Sequence, residues 1–247
     1  MIALIAWQEL RRLLLSPLAW TLLAGVQALL AWIFLWLVQD FQALQGRLAG
    51  LDNAPGVTDL VAAPLLRVTA WVLLLLVPLL TMRVFSGERR SGVFDLLLSA
   101  PVTMTQIVLG KYFGVLGFLL MVIALIALMP ASLALGATLD VGKLLAGLLG
   151  LSLLTAAAVA AGLYLSACTA QPAGAALATL GLLLGLWMID AAGAASSELF
   201  GYLSLRRHYD AFLLGLFNSA DLTYYLLFIA AFLGLTMRRL DDWRLRD

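Results

Sequence analysis

The feature that most restricts this chain is a succession of six long apolar runs: Leu18–Val38, Leu65–Met82, Tyr112–Leu135, Leu144–Ala167, Gly174–Ile189 and Leu222–Met237. A helix needs about 20 apolar residues to cross the hydrocarbon of a bilayer. Backbone in lipid must satisfy its own hydrogen bonds, and no alternating barrel pattern is present, so the runs are predicted to be helices. A water-soluble fold fails on composition. Of the 247 residues, 64% are hydrophobic and 12% charged, more apolar surface than one core of this size hides. The predicted fold is all-α and polytopic, a single transmembrane domain over 1–247.

Positive charge sets the expected orientation. With both ends inside, the cytoplasmic pieces hold Arg11, Arg12, Arg83, Arg89, Arg90, Lys111, Arg238, Arg239, Arg244 and Arg246. The outer pieces hold only Arg47, Arg67, Lys143, Arg206 and Arg207, while the acids divide six inside and eight outside. Trp20, Trp32, Trp36, Trp71 and Trp187 fall near predicted helix ends, as interfacial aromatics do. The first run is too long for a signal-peptide core and has no small-residue cleavage pattern before Gln39–Asp40, so it is read as a retained anchor.

Residues 1–16 precede the first run. Gln8, Glu9, Arg11 and Arg12 share one arc of a helical wheel, and Trp7, Leu10, Leu13 and Leu14 the opposite one. That pattern predicts an amphipathic helix in the inner interface, ended at Ser16–Pro17. On the outer side, 39–64 reads as an irregular loop, with Asn53, Pro55 and Gly56. The 191–221 segment carries Glu198, Arg206, Arg207, His208 and Asp210, and also the apolar stretches Leu199–Leu205 and Ala211–Phe217. Those stretches are too short to span, so the segment is predicted to be a re-entrant or surface-lying helix pair and a candidate outer gate.

The most informative stretch is the cytoplasmic connection at 83–111, which contains SGERRSGVFDLLLSAPVTMTQIVLGK from Ser86 to Lys111. Gly87 and Gly92 bracket the charged Glu88–Arg89–Arg90. Val93–Ser99 reads as a short helix with Phe94, Leu97 and Leu98 on its apolar face and Asp95 beside it, stopped by Ala100–Pro101. Periodicity alone leaves two readings open, a functional interfacial helix or a solvated loop with snorkelling arginines.

The pattern Glu88-Arg-x-x-Gly92-x-Phe94-Asp95-x-Leu97-Leu98-Ser99-x-Pro101, followed by Leu109-Gly110-Lys111, resembles the signature of type-II ABC exporter permeases. It is closest to the gliding-motility and nitrous-oxide-reductase-maturation branch. Glu9-Leu10-Arg11 and Ser16-Pro17-Leu18-Ala19 are similar to that family's opening, and the likeness covers essentially the whole chain. Val93 departs from it, where the family often carries threonine. The resemblance implies a coupling helix seated in a groove of a separate cytoplasmic ATPase. That role falls on Glu88, Arg89, Arg90, Gly92, Phe94, Asp95, Leu97, Leu98 and Pro101. It also implies that residues 1–16 form a connecting elbow. The expected assembly has a second permease copy or homologue, with a periplasmic or membrane-anchored accessory protein as a further candidate. The expected site is a bacterial inner membrane.

What the sequence lacks narrows the chemistry. Gly110-Lys111 runs into Tyr112, and Gly142-Lys143 into Leu144, so neither is a phosphate-binding loop. ATP and magnesium are therefore expected in the partner, with no cofactor in this chain. His208 is the only histidine and Cys168 the only cysteine, no G-x-S-x-G occurs, and ligand residues do not cluster, so neither a hydrolase nor a metal site is expected. No basic run interleaves with aromatics, which argues against nucleic acid. The span interiors carry no ionisable side chain on these boundaries, with Gln27 the one strongly polar group at mid-depth, which disfavours an ion-coupled carrier. Glycines in the third run and its lead-in (Gly110, Gly114, Gly117) and in the fourth (Gly147, Gly150) suggest close helix packing. The predicted function is the permease subunit of an ATP-driven exporter or force transmitter. A haem- or copper/sulfur-maturation permease of the same family is the nearest alternative. An ion-coupled carrier and a membrane enzyme are more distant ones.

Overall fold

The computed structural model describes residues 1–48, 55–91, 103–193 and 202–244. The chain begins with α1 (Ile2–Leu14) and turns at Leu15–Ser16 into α2 (Pro17–Leu48). A π-helical turn (Thr58–Ala62) continues directly into α3 (Ala63–Thr81), and α4 (Ser86–Ser91) follows after a four-residue turn. Then come α5 (Met104–Ser132), α6 (Val141–Cys168) and α7 (Pro172–Gly193). A short α8 (Leu205–Leu213) and the last helix, α9 (Ser219–Arg244), complete the chain. No strand occurs among the described residues.

Six of these helices are long and apolar enough to cross a membrane. They match the six runs in number and order, while several boundaries move. The helix through the first run continues to Leu48. At 1.5 Å per residue it is about 48 Å long, well beyond the ~30 Å hydrocarbon layer. The irregular loop expected over 39–64 is therefore largely helical at both ends. The last helix likewise runs on to Arg244, through most of the expected charged tail.

Packing explains which helix lies where. In α6 ten consecutive residues, Leu154 to Leu163, are buried. Only a helix at the centre of a bundle is covered all round. The small residues Ala156–Ala158 and Ala160–Gly162 let neighbours close on it. A Cβ on Gly150 would stand 2.6 Å from Phe212 Cβ, and one on Gly147 2.9 Å from Leu66 Cδ1. Gly147 and Gly150, predicted to mark close packing, do so, whereas a Cβ on Gly117, predicted with them, would meet only Leu10 Cδ1 at 4.0 Å. At the other extreme, α2 leaves Leu29, Trp32, Leu35 and Trp36 exposed along one stripe, as a helix solvated by lipid does.

Because six spans alternate in direction, both chain ends fall on one face of the bundle, here called the terminal face, with the distal face opposite.

Candidate functional site

On the terminal face, α1 lies against the first turns of α5. A Cβ on Gly110 would come within 2.6 Å of Ile5 Cβ, and one on Gly114 within 2.7 Å of Glu9 Cβ and 2.8 Å of the Ala6 carbonyl. Two glycines four residues apart thus form the seat of α1. The wheel drawn from sequence is rotated by this contact. Glu9 turns toward the protein and is 8% exposed, while Trp7 and Leu4 stay exposed. An acid prefers the inner side only where a cation waits for it.

That cation is Lys111, 3% exposed. Its Nζ donates to Glu88 Oε1 and, at 3.2 Å, to the Val84 carbonyl, and lies 4.0 Å from Glu9 Oε2. It also sits 5.3 Å from the centre of the Phe85 ring. Arg12 closes the group from the rim, 3.5 Å from Glu88 Oε1 and 3.9 Å from Glu9 Oε1. Among the described residues, two carboxylates and two cations from α1, α4 and α5 meet in one cluster.

The run boundaries leave Lys111 just outside the third span, whereas the helix that carries that run includes it. The third span begins at Met104, two turns earlier than the apolar run. A capping box starts it there. Thr103 Oγ1 accepts the Gln106 N–H, and Gln106 Oε1 accepts the Thr103 N–H. The earlier start draws Lys111 into the helix.

A second tie fixes the turn entering α4. Ser166 Oγ, on the central α6, accepts the backbone N–H groups of Phe85 and Ser86, each at 3.2 Å, and donates to the Met82 carbonyl at 3.1 Å. The 82–86 turn is thereby anchored to the core on one side and to the charge cluster on the other. Beside it opens a cleft of about 750 Å³ lined by Met82, Arg83, Gly87, Gln171 and Pro172 among others.

Of the residues assigned to coupling from sequence, Glu88 lies in this cluster and Arg89 and Arg90 continue α4. Gly92, Phe94, Asp95, Leu97, Leu98 and Pro101, and with them the helix expected at 93–99, fall outside the described residues. Lys111 and Glu9 are the members that sequence reasoning missed as site residues. The available signal was a lysine within a Gly110-x-x-x-Gly114 frame together with an acid in the N-terminal helix.

The distal set does not form one constellation. Arg206 and Asp210 pair at 3.3 Å on α8, and Arg67 of α3 reaches Asp210 at 3.2 Å, all partly exposed. Arg207 leans over the Tyr202 ring at 5.9 Å. His208 is buried instead, against Asp221 of α9. Glu198 is outside the described residues. Of the helix pair expected over 191–221, residues 194–201 lie outside the described residues; the described part holds the helix Leu205–Leu213, which carries Arg206, Arg207, His208 and Asp210. It is amphipathic, turning Leu205, His208, Tyr209, Phe212 and Leu213 inward. Tyr209 donates to the Leu66 carbonyl at 2.9 Å, and burial pushes its hydroxyl pKa far above the usual range, so it stays a neutral donor. At the end of α8, Gly215 adopts φ 77°, with Leu216 N–H bonded to the Ala211 carbonyl and Gly215 N–H to that of Phe212. This is a Schellman stop, which a Cβ would strain.

Six apolar crossings, one of them a buried central helix, with a joint of paired charges at one face, define a multi-pass α-helical membrane protein. The chain matches the model of the ABC-2 family transporter proteins over residues 3–240, and it belongs to that family. It is a membrane permease subunit of an ABC transporter, of a kind that works with a separate ATP-binding subunit. Among curated proteins nothing matched.

Proposed function

We propose that this permease transmits ATP hydrolysis in a cytoplasmic ATPase to the spans through the 83–111 connection. The terminal face is then cytoplasmic, in keeping with the positive-charge bias of the sequence, and the membrane is a bacterial inner membrane. The chain acts as one permease domain with three working parts: the elbow at 1–16, the connection at 83–111 and the distal segment at 191–221. Two permease copies, or one and a homologue, work with the ATPases, and ATP and magnesium stay with the partner. The signature at Glu88–Lys111 favours the gliding-motility and nitrous-oxide-reductase-maturation branch for the role, as export or as transmitted force.

The single observation that carries this reading is the joint between Lys111, Glu88, Glu9 and Arg12. A push on α4 reaches the elbow helix and the third span through ion pairs withdrawn from water. Ion pairs under these conditions resist separation far better than exposed ones. Ser166 holds the same turn to the core, so displacement of α4 moves packed elements rather than a free loop.

Affinity purification from membranes tests the reading. The chain is expected to bring down an ATPase with a phosphate-binding loop, and Arg89→Glu with Arg90→Glu to lose it. Transport by the purified chain without any ATPase would sink the proposal.

A further inference from the structure

His208 holds both of its ring nitrogens against acceptors. Nδ1 lies 2.5 Å from Asp221 Oδ1, and Nε2 lies 3.0 Å from the Tyr202 carbonyl. A backbone carbonyl has no proton to give, so Nε2 must donate. A carboxylate opposite Nδ1 then requires a second ring N–H, and a neutral imidazole has only one. We infer that His208 and Asp221 form a proton-binding site on the distal face, whose bound proton clamps the Tyr202 segment and α8 to the start of α9.

The pair is withdrawn from solvent, with His208 6% and Asp221 8% exposed. Tyr224 stacks on the imidazole, ring centres 4.1 Å apart and planes 21° from parallel. Its hydroxyl donates to the Leu203 carbonyl at 2.9 Å, and that of Tyr225 to the Leu205 carbonyl at 2.9 Å. The last span therefore holds the 202–208 segment at three points, and one of them depends on a proton. Among the described residues, the other ionisable groups around it are already occupied. On α8, Arg206 and Asp210 pair with each other, and Asp210 also with Arg67 of α3. Arg207 covers Tyr202, and Tyr209 bonds Leu66. From α9 only Asp221, Tyr224 and Tyr225 face the ring. Among the described residues, Asp221 pairs with no other cation.

The step is an acid–base one. The Nδ1–H bond breaks, the proton passes to water or buffer, and the ring is left neutral with its lone pair facing a carboxylate. An unpaired carboxylate so little exposed is costly, so it turns toward water and the contact opens. Whether that proton is bound decides whether the contact holds, which makes proton occupancy the controlling variable.

Because the chain has one histidine, ¹⁵N-histidine labelling gives a single imidazole to follow in nanodiscs. Both nitrogens are expected to be protonated at the acidic end of a range from about pH 5 to about pH 9, with Nδ1 losing its proton first. Hydrogen exchange of the 202–208 amides, corrected for intrinsic chemistry, should rise about tenfold per pH unit above the midpoint. In Asp221→Asn the amide donates to a neutral ring, so the clamp stays closed and the pH response is lost. A ring with one bare nitrogen throughout, or an Asp221→Asn protein with the wild-type pH profile, would overturn the inference. Neither readout involves the ATPase, so the outcome is separate from that of the coupling proposal.

Discussion

Lys111 and Glu88 meet in an ion pair that joins the start of the third span to the helix leaving the second, with the lysine 3% and the glutamate 8% exposed. The pair is satisfied on several sides: Val84 and Glu9 complete the surroundings of the ammonium, and Arg12 flanks the carboxylate. Breaking such a pair leaves a charge with no water to receive it, whereas replacing both members does not.

Lys111→Met is accordingly expected to destabilise the detergent-solubilised protein by about 3–5 kcal/mol, since Glu88 and Glu9 lose their common partner. Adding Glu88→Gln should recover a large part of the loss. Thermal unfolding of the two single variants and the double variant gives the coupling directly. Additive losses would mean that the pair is not energetically linked.

The glycine seat of the elbow helix makes a steric prediction. Gly114→Ala puts a methyl 2.7 Å from Glu9 Cβ and 2.8 Å from the Ala6 carbonyl, and backbone cannot retreat as a flexible side chain can. The expected cost is about 1–3 kcal/mol, with α1 displaced from α5. Faster proteolysis near the N-terminus reports the displacement. Gly181→Ala, where nothing stands within 4 Å of the added Cβ, is the matched control and should be silent.

Ser166→Ala removes one small hydroxyl that serves two backbone N–H groups and a carbonyl. Leaving those groups unsatisfied costs about 1–3 kcal/mol. Because the groups belong to the turn entering α4, hydrogen exchange should increase at Phe85 and Ser86 before it increases in α6. An equal rise across both would deny the serine a local role.

The distal ion pairs should behave differently. Arg67 and Arg206 are each about half exposed where they meet Asp210. Exposed pairs contribute about 0–1 kcal/mol and are screened by salt. Arg67→Gln is therefore expected to shift the melting temperature little, and less still at high salt. Tyr209→Phe, which removes a buried hydrogen bond to the Leu66 carbonyl, should cost more, about 1–1.5 kcal/mol. The reverse order would mean that the charges, not the buried hydrogen bond, hold α8 down.

How much of this was legible beforehand differs from residue to residue. The packing role of Gly147 and Gly150 could be anticipated, because small residues within an apolar helix mark a close approach. The side chain that fills the approach could not. Phe212, which meets Gly150, lies 62 positions away in sequence and belongs to a segment with no spanning pattern. Glu9 shows the same limit at the candidate site. A helical wheel sorts side chains by polarity, but Glu9 turns inward because Lys111, on another helix, neutralises it.

The sequence by itself determined that this protein lives in a bilayer, crosses it six times as helices and belongs with the ABC permeases. Those properties depend on local composition, run length and a contiguous signature, all of which are readable along one dimension. The tertiary structure alone decided that α6 is the centre, that the elbow rests on Gly110 and Gly114, that Lys111 is a buried counter-ion and that His208 stands against Asp221. Each of those is a relation between residues far apart in the chain. Burial fixes the cost of a charge only when the partner's position is known, and that position is set by how the helices pack.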